Sequence, residues 1–525
     1  MQDRAAALPA MPAEAELEAP ANDRLAVAGL LLLHVAAWTL YGSVALGAGL
    51  IHDDMIEAWN WAQRPQLGYY KHPPLFAWVT WVWFQLFPTQ DWSFYLLAAT
   101  NAALGLAGAA ALARFFGLAA QRRTIVALLM LTPLYGFLAM KFNANTVLIP
   151  VWPWATFFLL RSLETRTIRD GVALGVLGGL ALLGKYYSLL LGVAFVLATL
   201  LSPHRRSYYR SPAPYVALLA AVLVVGPHVY WTVVNGFPTV AYALSKFHHP
   251  LSQLLVWASM TATAPIIFLT LPLLAASLAA GCPTADALRG IRAWFLEREN
   301  ASIAVLAALP FALTLGFGFV GHAKISLSYT IPIFFMASLV MARAIPGARG
   351  PRVARWAVGA AITFSAGIVL AAPVVAYGRV KWNRDLVGSP MKELAREAQA
   401  LWHDETGKPL AYVAGSDRFV GAISFYAPDH PLYFVNFNAR QAAWVRGEDL
   451  VRDGLLVVCR ASSERCISYV RRSAPPGSPH RQIKVAHRWL SLAAEPVIYD
   501  LTFVLPGSWM EVAPELRDEP ELSRP

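Results

Sequence analysis

From Leu25 to Ala376 the chain is a succession of apolar runs divided by short polar loops, and ~17 to 25 apolar residues are what a helix needs to cross a bilayer. Such runs lie near 25–49, 93–115, 124–141, 147–162, 170–184, 187–201, 213–234, 254–280, 301–320, 327–343 and 356–376. They predict a polytopic α-helical membrane protein with about eleven spans, the pair at 170–184 and 187–201 being short. Composition agrees: 57% of residues are hydrophobic and 14% charged, where soluble proteins carry about 25% charged. Disordered, collagen-like and small disulfide-stapled classes are excluded. The 35 Gly and 36 Pro are spread through apolar segments, a mixture that membrane helices tolerate. A net charge of +11 therefore bears first on topology, and no nucleic-acid partner is expected.

Residues 1–22, rich in Ala, Pro and Glu, read as a disordered cytoplasmic leader and not as a signal peptide. Arg114, Arg122, Arg123, Arg161, Arg166, Arg169, Arg205, Arg206 and Arg210, and the later arginines to Arg352, fall in alternate loops. Those loops are assigned to the cytoplasm, which puts everything after residue 376 outside. The lysines of the same region, Lys71, Lys141, Lys185, Lys246 and Lys324, all fall in or beside the opposite loops. Ammonium groups gathered on the outer face imply a demand there, and anionic phosphate is the natural candidate.

Residues 377–515 are polar and mixed in charge, and predict a small α/β extracytoplasmic domain followed by a tail at 516–525. Strands are expected at 410–415, 431–435, 454–460 and 497–505, and helices at 389–403 and 416–426. Cys459 and Cys466 share this compartment; their spacing permits a disulfide without determining one. The spans form a second domain, 23–376, whose first outer loop is 51–92.

That loop begins His52-Asp53-Asp54-Met55-Ile56-Glu57 and continues Leu67-Gly68-Tyr69-Tyr70-Lys71-His72-Pro73-Pro74. On a helix starting near Asp53, Asp53 and Glu57 share a face with Asp54 beside them. An Asp-Asp pair also caps helices for purely structural reasons. Other outer loops supply Lys141, Asn143 and Asn145; Lys185, Tyr186 and Tyr187; Lys246, His248 and His249; and His322 and Lys324. A lone lysine at a membrane edge usually snorkels, but five such sets on one face suit a transfer reaction at the bilayer surface. His248-His249 lacks the i, i+4 spacing of a helical ligand pair, which speaks against a metal there.

Asp-Asp-x-x-Glu after the first span, followed by Gly-Tyr-Tyr-Lys-His-Pro-Pro-Leu-x-x-Trp, resembles the first extracytoplasmic loop of bacterial family 39 glycosyltransferases. These belong to the GT-C superfamily, with lipid A aminoarabinose transferase, protein O-mannosyltransferases and rhizobial galacturonosyltransferases. The order of later elements, with Gly184-Lys185-Tyr186-Tyr187 after the fifth span, is similar along most of the chain. The resemblance implies that Asp53 is the catalytic acidic residue, with Asp54 and Glu57 supporting it, and that His72 contacts donor phosphate. It also implies that Asn145 stands where an acidic residue is common, and Lys71 where many members carry an acid. No cofactor is assigned, and the two missing carboxylates weaken the case for a divalent metal.

The implied activity moves a sugar, with inversion, from a polyprenyl phosphate to a lipid, lipopolysaccharide or protein acceptor at the outer face of a bacterial inner membrane. Asp53 serves as catalytic base, or stabilises an oxocarbenium-like state if the acceptor is a phosphate. Tyr69, Tyr70, Lys71, His72, Lys141, Asn143, Asn145, Lys185, Tyr186, Tyr187, Lys246, His322 and Lys324 are the expected substrate-binding residues. A transporter or flippase of a lipid-linked saccharide is the competing class; it should carry ionisable groups at mid-membrane and paired repeats. A scaffold whose tail binds partners leaves the one-sided lysines unexplained.

Overall fold

A computed structural model describes residues 21–247, 249–382, 390–415, 420–438, 440–490 and 492–508. The expected leader up to residue 20, His248, the beginnings of the two helices expected at 389–403 and 416–426, and the tail fall wholly or partly outside these residues. The chain is mostly helical, with a small sheet near its C-terminus. Among the described residues six helices are long and apolar enough to cross a membrane: Asn22–Leu46, Asp91–Phe116, Ala213–Val234, Leu251–Ala280, Arg298–Val320 and Pro351–Lys381. Leu75–Leu86, Tyr186–Leu201 and Phe334–Ala344 are shorter apolar helices, and Leu148–Thr165 and Ile168–Gly184 fill the segments expected at 147–162 and 170–184. The chain is a multi-pass membrane protein.

Two expected spans are broken. The run at 124–141 is a helix only over Arg122–Met130, and turns follow it to residue 147. Thr132-Pro133 supplies the reason, because proline disfavours the helical conformation of the residue before it and has no N–H to donate. The run at 327–343 opens as the 3-10 turn Leu327–Thr330 and becomes α-helical only over Ala337–Ala344, beyond Pro332. Conversely, Leu75–Leu86 is a helix inside what reads as a loop.

The chain divides into two compact units, each assembled from separated segments. The first contains Met1–Thr39, Lys71–Phe76 and Leu96–Val369. Its tightest helix pair is Ile168–Gly184 against Ala213–Val234, and Gly171, Gly175 and Gly179 make that approach possible. A Cβ on Gly171 or Gly175 would strike the carbonyl oxygen of Ala213 or Ala217, and one on Gly179 would strike the Val224 side chain. Small residues every fourth position let membrane helices pack backbone to backbone, where dispersion and not water exclusion supplies the attraction.

The second unit contains Leu40–Tyr70, Ala77–Tyr95 and Leu370–Pro525. Its five-stranded sheet has the order β2-β1-β3-β5-β4, where β1 is Tyr412–Gly415, β2 Leu432–Val435, β3 Leu455–Arg460, β4 His480–Val485 and β5 Val497–Val504. β1 runs parallel to β2 and β3, whereas β5 is antiparallel to β3 and β4. The helices Met391–Thr406, Gly421–Tyr426, Gly447–Asp453 and Glu464–Ser473 accompany it. Trp402 is fully buried and stacks on Phe503 at 6.2 Å. Cys459 on β3 and Cys466 on the helix Glu464–Ser473 form a disulfide, with Cα atoms 5.8 Å apart. β4 has only two apolar residues, Ile483 and Val485, too few for its strand pattern to stand out in the sequence.

Candidate active site

The acidic motif opens the helix Asp53–Ala62, as its spacing predicts, so Asp53 and Glu57 lie one turn apart on one face. His52 is the N-cap. Its Nδ1 accepts the Asp54 N–H at 3.2 Å and lies 3.8 Å from Asp53 Oδ1 and 3.6 Å from Asp54 Oδ2. Carboxylates in a first turn are favoured by the helix dipole. Both aspartates stay accessible, with side chains 35% and 39% exposed.

Within its unit this short helix is anchored by three side-chain hydrogen bonds. Trp59 Nε1 donates to Ser424 O at 3.1 Å, Asn60 Nδ2 to Gly421 O at 3.3 Å and Gln63 Nε2 to His430 O at 2.8 Å. The Trp59 ring meets Phe84 and Phe425 edge-on. Tyr69 is 2% exposed, stacks on Trp61 at 4.4 Å and donates its hydroxyl proton to Trp61 O at 2.9 Å. Burial pushes its phenol pKa up, so Tyr69 holds the loop as a neutral group. Tyr70 is partly buried beside Trp61.

The basic residues gather in the first unit. Lys185 ends the helix Ile168–Gly184 in an extended conformation, and its ammonium donates to Asn145 Oδ1 at 2.6 Å while lying 3.9 Å from the Tyr329 ring centre. Asn143 sets the turn that presents Asn145, because its Oδ1 accepts the N–H groups of Asn145 and Thr146 at 2.8 and 3.0 Å. Lys246 sits 4.4 Å and Lys71 6.0 Å from the ring centre of Tyr242, and His72 meets that ring edge-on at 5.7 Å. Such stacking holds ammonium groups without neutralising them. Burial, and then the charges of Lys185, Lys71 and Lys246, drive the His72 pKa well below its ordinary value. His72 is thus a neutral imidazole among three ammonium groups, able to donate one N–H.

Not every expected residue joins this group. Tyr186 is hydrogen-bonded to His228 Nε2 at 2.6 Å, and Tyr187 to Thr314, with its ring against Trp152 and Tyr329. Lys141 is exposed at the end of the turn Ala139–Lys141. Lys324 and His322 are exposed too: the Lys324 ammonium lies 5.4 Å from the Trp257 ring centre, while the backbone of this loop is stitched to 246–249 by Lys324 N–H to Lys246 O and His249 N–H to His322 O. Tyr242 and Tyr329 escape the sequence reading. Tyr242 carries a signal, four residues before Lys246; for Tyr329 we find none. Among the described residues no three His, Cys, Asp or Glu side chains gather into a metal site.

Comparison with known proteins adds to this geometry. The model of the dolichyl-phosphate-mannose-protein mannosyltransferase family matches residues 71–231, which include Lys71, His72, Asn145 and Lys185. The lipid A galacturonosyltransferase RgtD of Rhizobium johnstonii is 26% identical over 223 residues, 41% of this chain and 46% of that protein. The chain thus spans about half the length of that relative. The crystal structure of ArnT from Cupriavidus metallidurans bound to undecaprenyl phosphate superposes over 95% of this chain and 99% of its own, with a TM-score of 0.51 and 16% identity. The chain has an ArnT-like fold and resembles GT-C glycosyltransferases.

Proposed function

We propose that the protein is a membrane glycosyltransferase that moves a sugar from a polyprenyl-phosphate donor to a lipid, lipopolysaccharide or protein acceptor at the outer face of the bacterial inner membrane. The observation that carries this reading is the group of Lys71, Lys185 and Lys246 around the neutral His72. Three ammonium groups held in place by tyrosine rings and an asparagine, with an imidazole N–H among them, suit a phosphate oxyanion. A polyprenyl phosphate is a poor leaving group unless its charge is stabilised, and preorganised cations supply that stabilisation.

In the reaction the bond between the anomeric carbon and the phosphate oxygen breaks, and a bond from that carbon to the acceptor oxygen forms on the opposite face, inverting the centre. The polyprenyl phosphate departs with the bonding electron pair. Where the acceptor is a hydroxyl, Asp53 takes its proton; where it is a phosphate, Asp53 stabilises positive charge at the anomeric centre. Asn145 orients Lys185, while Asp54 and Glu57 support Asp53. Tyr186 and Tyr187 shape the surroundings of Lys185. Lys141, His322 and Lys324 lie on loops suited to the acceptor or to lipid headgroups. The reading is tested by mass spectrometry of envelope glycolipids from cells with and without the gene. Loss of one glycosylated species is expected, with restoration by the wild-type gene and not by Asp53→Asn; identical glycolipid profiles would remove the proposal.

A further inference from the structure

A groove in the first unit has no part in this reaction. The helices Ala21–Tyr41, Asp91–Leu112, Arg122–Met130 and Leu148–Thr165 border a cavity of about 360 Å³ lined by Arg24, Val27, Arg114, Arg122, Trp154 and Phe157, with alanines of the second helix between them. That volume lies within the ordinary range for small-ligand sites. Its charged lining groups are all arginines, and the rest of the lining is apolar.

The arginines share one level of the bundle. Arg24 stands in the first turn of one candidate span and Arg114 in the last turn of the next, while Val27, Trp154 and Phe157 lie deeper along their helices. Arg122 is attracted by Asp23 and repelled, less strongly, by Arg24 and Arg114. The nearby carboxylates are already engaged: Glu164 with Arg114 at 3.0 Å, Asp23 with Arg123 at 3.4 Å and Asp170 with Arg161 at 2.9 Å. The Nε–H groups of Arg114 and Arg122 are shut away from water and meet no hydrogen-bond acceptor among the described residues, a condition that costs stability.

A ligand that answers both features carries an anion at one end and a hydrocarbon at the other. We infer that this groove holds an anionic phospholipid of the surrounding bilayer, its phosphate on Arg24, Arg114 and Arg122 and the start of an acyl chain against Val27, Trp154 and Phe157. A soluble anion would use the arginines and leave the apolar part idle, whereas basic pockets between membrane helices are suited to acidic lipid headgroups. The inference is independent of the transfer reaction.

The test uses the full chain in nanodiscs of equimolar phosphatidylcholine and phosphatidylglycerol, with retained lipid counted by native mass spectrometry. Wild type should keep phosphatidylglycerol over phosphatidylcholine by on the order of tenfold. Arg24→Gln with Arg122→Gln should lose that preference, and Val27→Trp, which fills the groove without altering charge, should lose retained lipid of either kind. If the arginine variant does not fold, Val27→Trp alone decides. Equal retention of both lipids by wild type, or unchanged phosphatidylglycerol retention in Val27→Trp, overturns the inference. Inorganic phosphate added to phosphatidylcholine discs should leave the unfolding temperature unchanged; a rise equal to that given by phosphatidylglycerol would mark a soluble-anion site and overturn the lipid.

Discussion

Lys185 illustrates how one residue here is committed to charge. Its ammonium has an amide oxygen at 2.6 Å and a tyrosine ring at 3.9 Å, neither of which removes its net charge. If it holds donor phosphate, Lys185→Gln should weaken donor binding by roughly tenfold to a hundredfold, the effect of a charge-assisted hydrogen bond. Lys185→Arg should rescue only in part, because a planar guanidinium does not fit a pocket shaped for a point-like ammonium. Donor titrations in nanodiscs check this, and an unchanged half-saturation in the Gln variant would remove Lys185 from the phosphate site. At Asp53 the expectation is sharper: Asp53→Asn keeps the shape of the helix start and should abolish transfer with normal insertion, while Asp54→Asn and Glu57→Gln retain measurable turnover. Near-wild-type transfer by the Asn variant would move the catalytic acid elsewhere. His72 adds a pH dependence. Its pKa is depressed in the folded protein, so its contribution to stability is present above the ordinary 6.5 and is lost as pH falls from there toward the folded value. The unfolding temperature should drop on acidification through that window, and the drop should shrink in His72→Gln. An identical profile in the variant would show that His72 does not supply it.

Among the elements, the helix Asp53–Ala62 and the glycine stripe of Ile168–Gly184 show two ways of placing functional side chains. The first is ten residues long and too short to be stable alone; its buried face of Met55, Ile56, Trp59 and Trp61 and the hydrogen bonds to 421–430 hold it. The second carries Lys185 at its end and is set by backbone approach at Gly171, Gly175 and Gly179. Gly175→Leu should push the helices apart and cost ~1–3 kcal/mol or more, whereas Gly178→Ala, with nothing within 4 Å of its new Cβ, should be neutral or slightly stabilising. Thermal unfolding in detergent distinguishes them; equal effects would mean that the close pair is not what positions Lys185. The helix start at Asp53 and four strands are legible from local pattern, whereas the close approach at Gly171, Gly175 and Gly179 is not. The two broken spans are legible only after the fact, because Pro133 and Pro332 sit in runs whose hydropathy still reads as continuous.

For the molecule as a whole, the opposed distributions of arginine and lysine in the sequence lead to an expectation about its two faces. Reporter fusions at residues 290 and 400 should report opposite sides of the membrane, with 290 cytoplasmic. The same sidedness at both would overturn the topology and the outer-face reading with it. The ArnT-like fold extends over 95% of the chain and the family match over 71–231; the first rests on backbone path, the second on local residues.

Sequence alone determined that this chain lives in a membrane and that an acidic motif opens a helix after the first long apolar run. Each follows from local chemistry: hydropathy, charge and side-chain period are carried by neighbours in the chain. Tertiary structure decided which of its ionisable groups lie together. Lys71 and His72, Lys185 and Lys246 come from three loops, and only folding sets the three lysines around one imidazole. Tyr242 and Tyr329, which hold those ammonium groups, read in the sequence as ordinary aromatic residues near apolar runs, because a ring's role as a cation platform depends on distance through space. Tyr69 shows the reverse, a residue that reads as a sugar contact and that the fold buries as the peg of its own loop.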